Sequence, residues 1–411
     1  MGASGLLKPV FGDLYTIGQL QFMILITVFF YVIKRGFCAN QGLMLACVAF
    51  LTVGFYEYTV TYALNGYKLI ALQQFLFGFF IPVSIILILN RMSEDGRAVF
   101  FQYFYRGYCV YLFAAVFILF FIDEKFYQQY DSYGLGGAII SLRYQFDDSL
   151  FMLILGNSNK QSNYLIILIL LGPYLLNLKL MSPHLAEKPN LTYIVFVVLA
   201  VVVLTLLFSR AAIFLLPIAL YINRRYLIKI SLSIKLFLML MILVLVINFI
   251  DSIGVVLDYL LFSNYVDGSS GGGVGSFIQR AEQWDAVFNL ILMPDVFAHG
   301  LGLGVYGIMI GGGVEAGTHN LFLDHWLASG FFGVFLIISL VICGAVLTII
   351  RREWRLFFGY VFFVLFALRE YSFSYLYVTS MGGLCFALLI LLTFGGTHTR
   401  LTEIPSRRGV V

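Results

Sequence analysis

The sequence predicts an all-α membrane protein: a polytopic bundle of about 11–12 transmembrane helices with one large extracytoplasmic loop that contains an amphipathic helix. Three observations lead there. Of the 411 residues, 61% are hydrophobic and 11% charged, against roughly 25% charged in a soluble globular chain, and the mean hydropathy is +0.95. The apolar residues fall into runs long enough to cross a bilayer. The basic residues collect in alternate connections between those runs.

Apolar runs lie at about 14–33, 42–63, 69–89, 99–122, 162–178, 191–208, 211–222, 235–250, 320–350, 356–376 and 380–394, each bounded by charges, Gly or Pro. The run at 211–222 is short, and Arg224 and Arg225 are placed to snorkel at its end. The first run has only Lys8 ahead of it and no small-residue cleavage site behind it, so it reads as an uncleaved anchor. Residues 1–411 are expected to form a single membrane-embedded domain, with no repeat of fixed period and no similarity between halves of the kind common in alternating-access transporters. Four of the five cysteines lie in apolar runs, and Cys38 falls in a short loop assigned to the cytoplasm, so no disulfide framework is implied.

Sidedness follows from charge, because cytoplasmic loops carry an excess of Lys and Arg. Connections at 34–41, 90–98, 179–190, 223–234 and 351–355, with Lys235 and the C-terminal tail, hold 16 of the 25 basic residues. Their only acids are Glu94, Asp95, Glu187, Glu353 and Glu403. The outward side then holds the 123–161 loop, the turn at Ser209–Arg210 and the 251–319 loop, in which seven acids face the single basic residue Arg280.

The 251–319 loop is where chemistry is expected, since a connection of that length is usually functional or disordered. Residues 268–276 are a Gly/Ser hinge by composition. After it, Trp284, Val287, Phe288, Ile291 and Leu292 share one face at helical spacing and Pro294 ends the run, which predicts an amphipathic helix lying on the membrane surface. Arg280 stands one turn before Trp284 on that face. Its bland reading is an anchor to phospholipid. The stretch from His299 to Gly313 is rich in closely spaced glycines that let backbone N–H groups approach an anion. It leads to His319–Asn320 at the mouth of a membrane helix, where a histidine is able to accept a proton near neutral pH or, more simply, to cap the helix.

Arg210 is a third outward element, set between two apolar runs with no acid near it in sequence. An ionisable group at such depth is costly and marks a functional site by default, with snorkelling as the competing explanation. Other ionisable residues inside apolar runs are Glu57, Arg106, Asp324, His325, Arg369 and Glu370; the last two can neutralise one another, and none is given a role from sequence. Two arginines and a histidine on the outer face make chemical sense together if the substrate carries a diphosphate. Arginine forks hold phosphate oxygens, the departing diphosphate needs its growing charge stabilised, and histidine takes the proton of an attacking hydroxyl. Outside the cytoplasmic membrane a lipid-linked diphosphate sugar is the natural activated donor.

Four pieces, in order, resemble the O-antigen polymerase and ligase family of bacterial envelope glycan assembly (the Wzy and WaaL type). They are Leu155-Gly-Asn157-Ser-Asn159, Ser209-Arg210, Arg280 with Trp284 before Gly300-Leu-Gly-Leu-Gly304, and His319-Asn320 followed by Gly330 and Gly333. They cover the second and third quarters of the chain, while the first 120 residues resemble only generic membrane helices. The resemblance implies a metal-independent, inverting glycosyltransferase of the multi-span class, without cofactor, in the bacterial inner membrane with its active site facing the periplasm. It further implies that Arg210 and Arg280 hold the diphosphate, that His319 activates the acceptor hydroxyl or helps position the donor, and that Asn159, Trp284 and Asn320 belong to the substrate site. The expected partners are an undecaprenyl-diphosphate-linked oligosaccharide and membrane lipids, with a chain-length regulator and a flippase of the same pathway as candidate neighbours and no nucleic acid.

Polymerase and ligase share these residues and differ in acceptor. A ligase receives phosphorylated lipid A-core, which favours a basic outer face. Here the 123–161 loop has five acids against Lys125, Arg143 and Lys160, so the polymerase is favoured and the ligase is the alternative. A flippase or transporter is the rival from another class, and a non-catalytic scaffold a third.

Overall fold

The structure, a computed structural model, describes residues 41–65, 69–131, 138, 150–155, 158–176, 190–207, 210–227, 284–302, 308–310, 314–316, 320–368 and 382–395. It is all-helical apart from one small hairpin. In chain order the helices are α1 (Gln41–Asn65), α2 (Leu69–Phe75), a π-helical turn (Leu76–Phe80), α3 (Ile81–Arg91), α4 (Glu94–Phe121), α5 (124–131), α6 (Leu150–Leu155), α7 (Ser158–Leu175), α8 (Leu191–Leu207), α9 (Arg210–Ile222), α10 (Arg224–Leu227), α11 (284–291), α12 (Pro294–His299), α13 (Leu321–Ile350), α14 (Trp354–Ala367) and α15 (Gly382–Phe394). Every apolar run that falls on described residues is helical. The runs at 14–33 and 235–250 lie outside them.

Among the described residues, three helices are long and apolar enough to cross a membrane: Gln41–Leu64, Glu94–Phe121 and Leu321–Ile350. Their outer faces carry Leu45, Phe55, Phe113, Phe121, Phe335 and Ile342, all more than half exposed. A water-soluble surface does not gather so much apolar area. The shorter apolar helices fill the interior. In α7, Leu165 through Leu171 are all 0% exposed, as expected of a helix that is hydrophobic on every side.

Polar groups in this interior join helices. Pro173 lacks an N–H, so the carbonyl of Ile169 four residues earlier in α7 loses its helical donor. Tyr193 of α8 and Asn223 at the end of α9 replace it, each donating to that oxygen at 2.7 Å, and Asn223 also donates to the Tyr193 hydroxyl at 3.0 Å. On α4, Tyr105 donates to Leu168 O at 2.7 Å and Tyr111 to Ile154 O at 2.9 Å, while Gln161 of α7 donates to the Tyr108 hydroxyl at 3.0 Å. Such bonds carry interhelical specificity where water is excluded.

Charge is sorted along the bundle. Ser93 caps α4, accepting from Gly96 N at 3.2 Å, with Glu94 and Asp95 complementing the helix dipole in the first turn. At the same end of the bundle, Arg224 lies over the Tyr221 ring at 3.9 Å, Arg355 donates to the Tyr226 hydroxyl at 3.0 Å, and Arg351 donates to Thr393 O. The other end carries Asp123, Glu124, Asp131, Asp285 and Asp295. There Asp123 accepts from Phe126 N at 3.2 Å and Phe151 N at 3.0 Å, pinning α6 to the end of α4.

Two parts of the predicted outward loops are more ordered than the sequence reading had them. The 123–161 segment contains α5 and α6, and α7 begins at Ser158 with Gln161, Ser162 and Asn163 buried, because hydrogen-bonded polar groups are tolerated inside the bundle. Within the glycine-rich stretch, β1 (Ile308–Ile310) pairs antiparallel with β2 (Val314–Ala316), Met309 opposite Glu315. Ile308-Met-Ile310 ahead of Gly311–Gly313 is a strand signal that the count of glycines obscured, whereas Val314-Glu-Ala316 has little β propensity of its own and is a strand through its pairing.

Candidate functional site

The starts of α7, α9 and α13 lie at one end of the bundle. Asn223, which ends α9, contacts Ile169 and Leu170, the late part of α7. The two helices pack together and therefore run in parallel, placing Arg210 about 20 Å and Asn159 about 15 Å from that contact toward the same end. Arg355, just past the end of α13, reaches Tyr226 beside it. The start of α13 is thus at the Arg210 end. Arg210 is the first residue of α9 and Asn159 lies in the first turn of α7. Arg280 and His319 lie outside the described residues.

Asn320 is the N-cap of α13: its side-chain oxygen accepts from Phe322 N at 3.0 Å and Leu323 N at 3.3 Å, with the backbone extended. The sequence reading offered the histidine before it as a cap; the N-cap position belongs to the asparagine.

The loop helix α11 docks on protein. Val287 and Ile291, one turn apart, are 0% and 2% exposed and pack with Val296, Leu323 and Leu327; Trp284, Leu290, Leu301 and Trp326 border this cluster. Phe288 and Leu292 remain 47% and 72% exposed. The predicted membrane-surface face is accordingly split. Its Val287–Ile291 edge is claimed by the first turns of α13, and its Phe288–Leu292 edge is left exposed. The helix was read as lying on the bilayer because the sequence does not contain the information that α13 offers Leu323 and Leu327 as a partner surface.

The glycines that follow are used for close approach. Helix α13 breaks at Gly330 (φ 63°, ψ −164°), and the carbonyls of Leu327 and Ala328, ahead of the break, accept from Leu301 N at 2.5 Å and Gly302 N at 2.9 Å. The loop thus satisfies backbone groups that a broken membrane helix would leave bare. A Cβ on Gly300 would lie 2.6 Å from the backbone of Ala328–Gly330, and one on Gly330 would lie 2.4 Å from Ala298 O. Only two glycines allow the segments to interlock in this way. The Gly300–Gly304 motif was read as a place for an anion; its first half is a backbone joint.

One turn of α1 completes the joint. The Tyr56 hydroxyl is 3.2 Å from His299 Nδ1, Glu57 Oε1 is 2.5 Å from His325 Nδ1, and Gly302 sits against Thr61, where a Cβ would be 2.5 Å from Oγ1. Glu57 and His325 are 0% and 4% exposed, whereas His299 is exposed. The π-helical turn supplies the floor: Phe79 meets the His325 ring edge-on at 5.9 Å and occupies the space left by Gly54. Sequence reasoning named Glu57 and His325 as costly intramembrane groups but did not pair them. The available signal was their opposite charge types at matching depth in antiparallel runs. Among the described residues no three metal-ligating side chains come together.

No family model matches the chain, and neither does any curated protein or solved structure.

Proposed function

We propose that this chain is a polytopic glycosyltransferase that joins lipid-diphosphate-linked glycan units at the outer face of the bacterial inner membrane, a surface-polysaccharide polymerase with an inverting, metal-independent mechanism. The observation that carries the reading is that the α7 start with Asn159, the α9 start with Arg210 and the α13 start, which follows His319 in the chain, share one end of the bundle, and that the loop helix that follows Arg280 in the chain docks on the first turns of α13. Two arginines converging on a diphosphate stabilise the charge that develops as the sugar–phosphate bond breaks. A histidine takes the proton from the acceptor hydroxyl as that oxygen attacks the anomeric carbon from the opposite side.

The charge of the two ends supports both the orientation and the acceptor. Basic residues cap the end assigned to the cytoplasm, and Asp123, Glu124, Asp131, Asp285 and Asp295 lie on the described parts of the other, which suits a second lipid-linked unit better than a phosphorylated core. A transport path is disfavoured. Glu57 is closed off against His325 between α1 and α13, whereas Arg106 is exposed, reaching Thr192 on α8 at 3.5 Å. These groups do not line one route. Purified protein given lipid-linked repeat units should extend them with no other protein present, and Arg210→Ala should abolish extension. A wild-type protein that leaves the units unjoined sinks the reading.

A further inference from the structure

An ion-forming pair is a poor way to hold two membrane helices together if holding is all it does. A well-packed apolar pair of the same volume serves as well or better, and the attested use of a buried polar pair is to fix one arrangement among several. The Glu57–His325 pair is placed for that use. It joins α1 to α13 at 2.5 Å with both side chains buried, and Glu57 Oε2 has no hydrogen-bond partner among the described residues. The pair is therefore retained although one of its oxygens is buried without a partner among the described residues. Everything around it leads to the 299–302 segment. Tyr56, the neighbour of Glu57, binds His299; Thr61, one turn on, donates to Glu57 O at 2.8 Å and abuts Gly302. On α13, Ser329 donates to His325 O at 2.6 Å immediately before the Gly330 break into which Gly300 fits.

We propose that Glu57 and His325 are positioning residues: their pairing sets the register of α1 against α13 and so opens the slot in which the 299–302 segment docks, fixing the loop helix and the α13 start that carry the candidate site. The catalytic part of this inference rests on the glycosyltransferase reading; the docking part does not. It also brings the first quarter of the chain, which resembles only generic membrane helices, into the site.

Hydrogen exchange on the full-length protein in lipid nanodiscs, without substrate, tests it. The amides of Leu301 and Gly302 donate to α13, so their exchange reports docking. Glu57→Ala and His325→Ala should each raise exchange at these two amides at least ten-fold and leave the amides of Leu165 to Leu171 in α7 unchanged, which controls for global unfolding. The exchanged pair, Glu57→His with His325→Glu, should restore protection to within about three-fold. In the chain-extension assay the single variants should lower kcat more than they raise KM, and the exchanged pair should recover most of the rate. Unchanged protection in both single variants overturns the proposal. So does an exchanged pair that is fully protected yet inactive, because the two groups would then act in the chemistry itself. If the wild-type protein extends no chains, the glycosyltransferase reading fails while the exchange result still decides the docking claim.

Discussion

Gly330 and Arg352 both hold positive φ on or just after α13, and they are opposite cases. At Gly330, φ is 63° with ψ −164°, a region essentially confined to glycine, and a side chain would also strike Ala298 O. Gly330→Ala should cost at least ~2 kcal/mol, seen as a lower unfolding temperature together with loss of the tryptophan environment at Trp326. Arg352 follows the helix end at φ 59°, with Arg352 N bonded to Ile349 O and Glu353 N to Thr348 O, the αL termination that glycine fills best. Arg352→Gly should therefore stabilise by up to about 1 kcal/mol, read from the same melt. Beside it, burial pushes the Glu353 carboxyl up against the opposing pull of Arg351, and Glu353 Oε2 is buried without a hydrogen-bond partner among the described residues. A folded-state pKa above the unfolded one means that the ionised form is penalised in the native state, so stability rises as pH falls through the folded pKa. Glu353→Gln should raise the melting temperature at neutral pH, with the gain shrinking as pH falls from the raised folded-state pKa toward the ordinary carboxylate range and gone below it. A gain that persists at low pH would show that charge is not its cause.

The loop helix is the element whose surroundings decide its role. Its Val287–Ile291 edge is buried against Leu323 and Leu327, and its Phe288–Leu292 edge is exposed. Burying a carboxylate in an apolar contact costs several kcal/mol, so Ile291→Asp should release the helix and raise protease cleavage between α11 and α13. Phe288→Asp should leave cleavage unchanged and weaken only association with lipid. Equal effects at both positions would mean that the helix does not prefer α13. The period of the apolar residues was legible in the sequence and gave this helix its place, as it did the runs that became α1, α4, α8 and α13. Which half of the face meets protein was not legible, since that depends on a partner some thirty residues away along the chain. The same limit hid the Glu57–His325 pair: each residue announced itself as costly inside an apolar run, but their mutual distance is a property of packing. Pro173 is a parallel case, where the sequence shows the lost N–H and only the fold shows Tyr193 and Asn223 supplying the donors.

Across the described residues, Arg224, Arg351 and Arg355 lie at one end and Asp123, Glu124, Asp131, Asp285 and Asp295 at the other, where the helix starts at Asn159 and Arg210 also lie. Single cysteines placed at Asp295 and at Arg352, in a chain otherwise free of cysteine, should label from opposite sides of sealed spheroplasts, Asp295→Cys by an impermeant reagent added outside and Arg352→Cys only after lysis. Labelling of both from one side would dismantle the orientation and with it the periplasmic site. The sorting of basic residues toward one end was readable because Lys and Arg bias is a property of composition, and so were Arg210 and Asn159 as residues at helix starts. That those starts meet at one end depended on α7 and α9 running in parallel, which the Asn223 contacts supply. The central claim is that this convergence joins glycans held on a lipid diphosphate. The direct measurement is incubation of the purified protein in nanodiscs with lipid-linked repeat units, followed by separation of products by length. The account predicts a ladder of extended chains from the wild-type protein and none from Arg210→Ala with its fold intact; unextended units from the wild type, or a full ladder from Arg210→Ala, would contradict it.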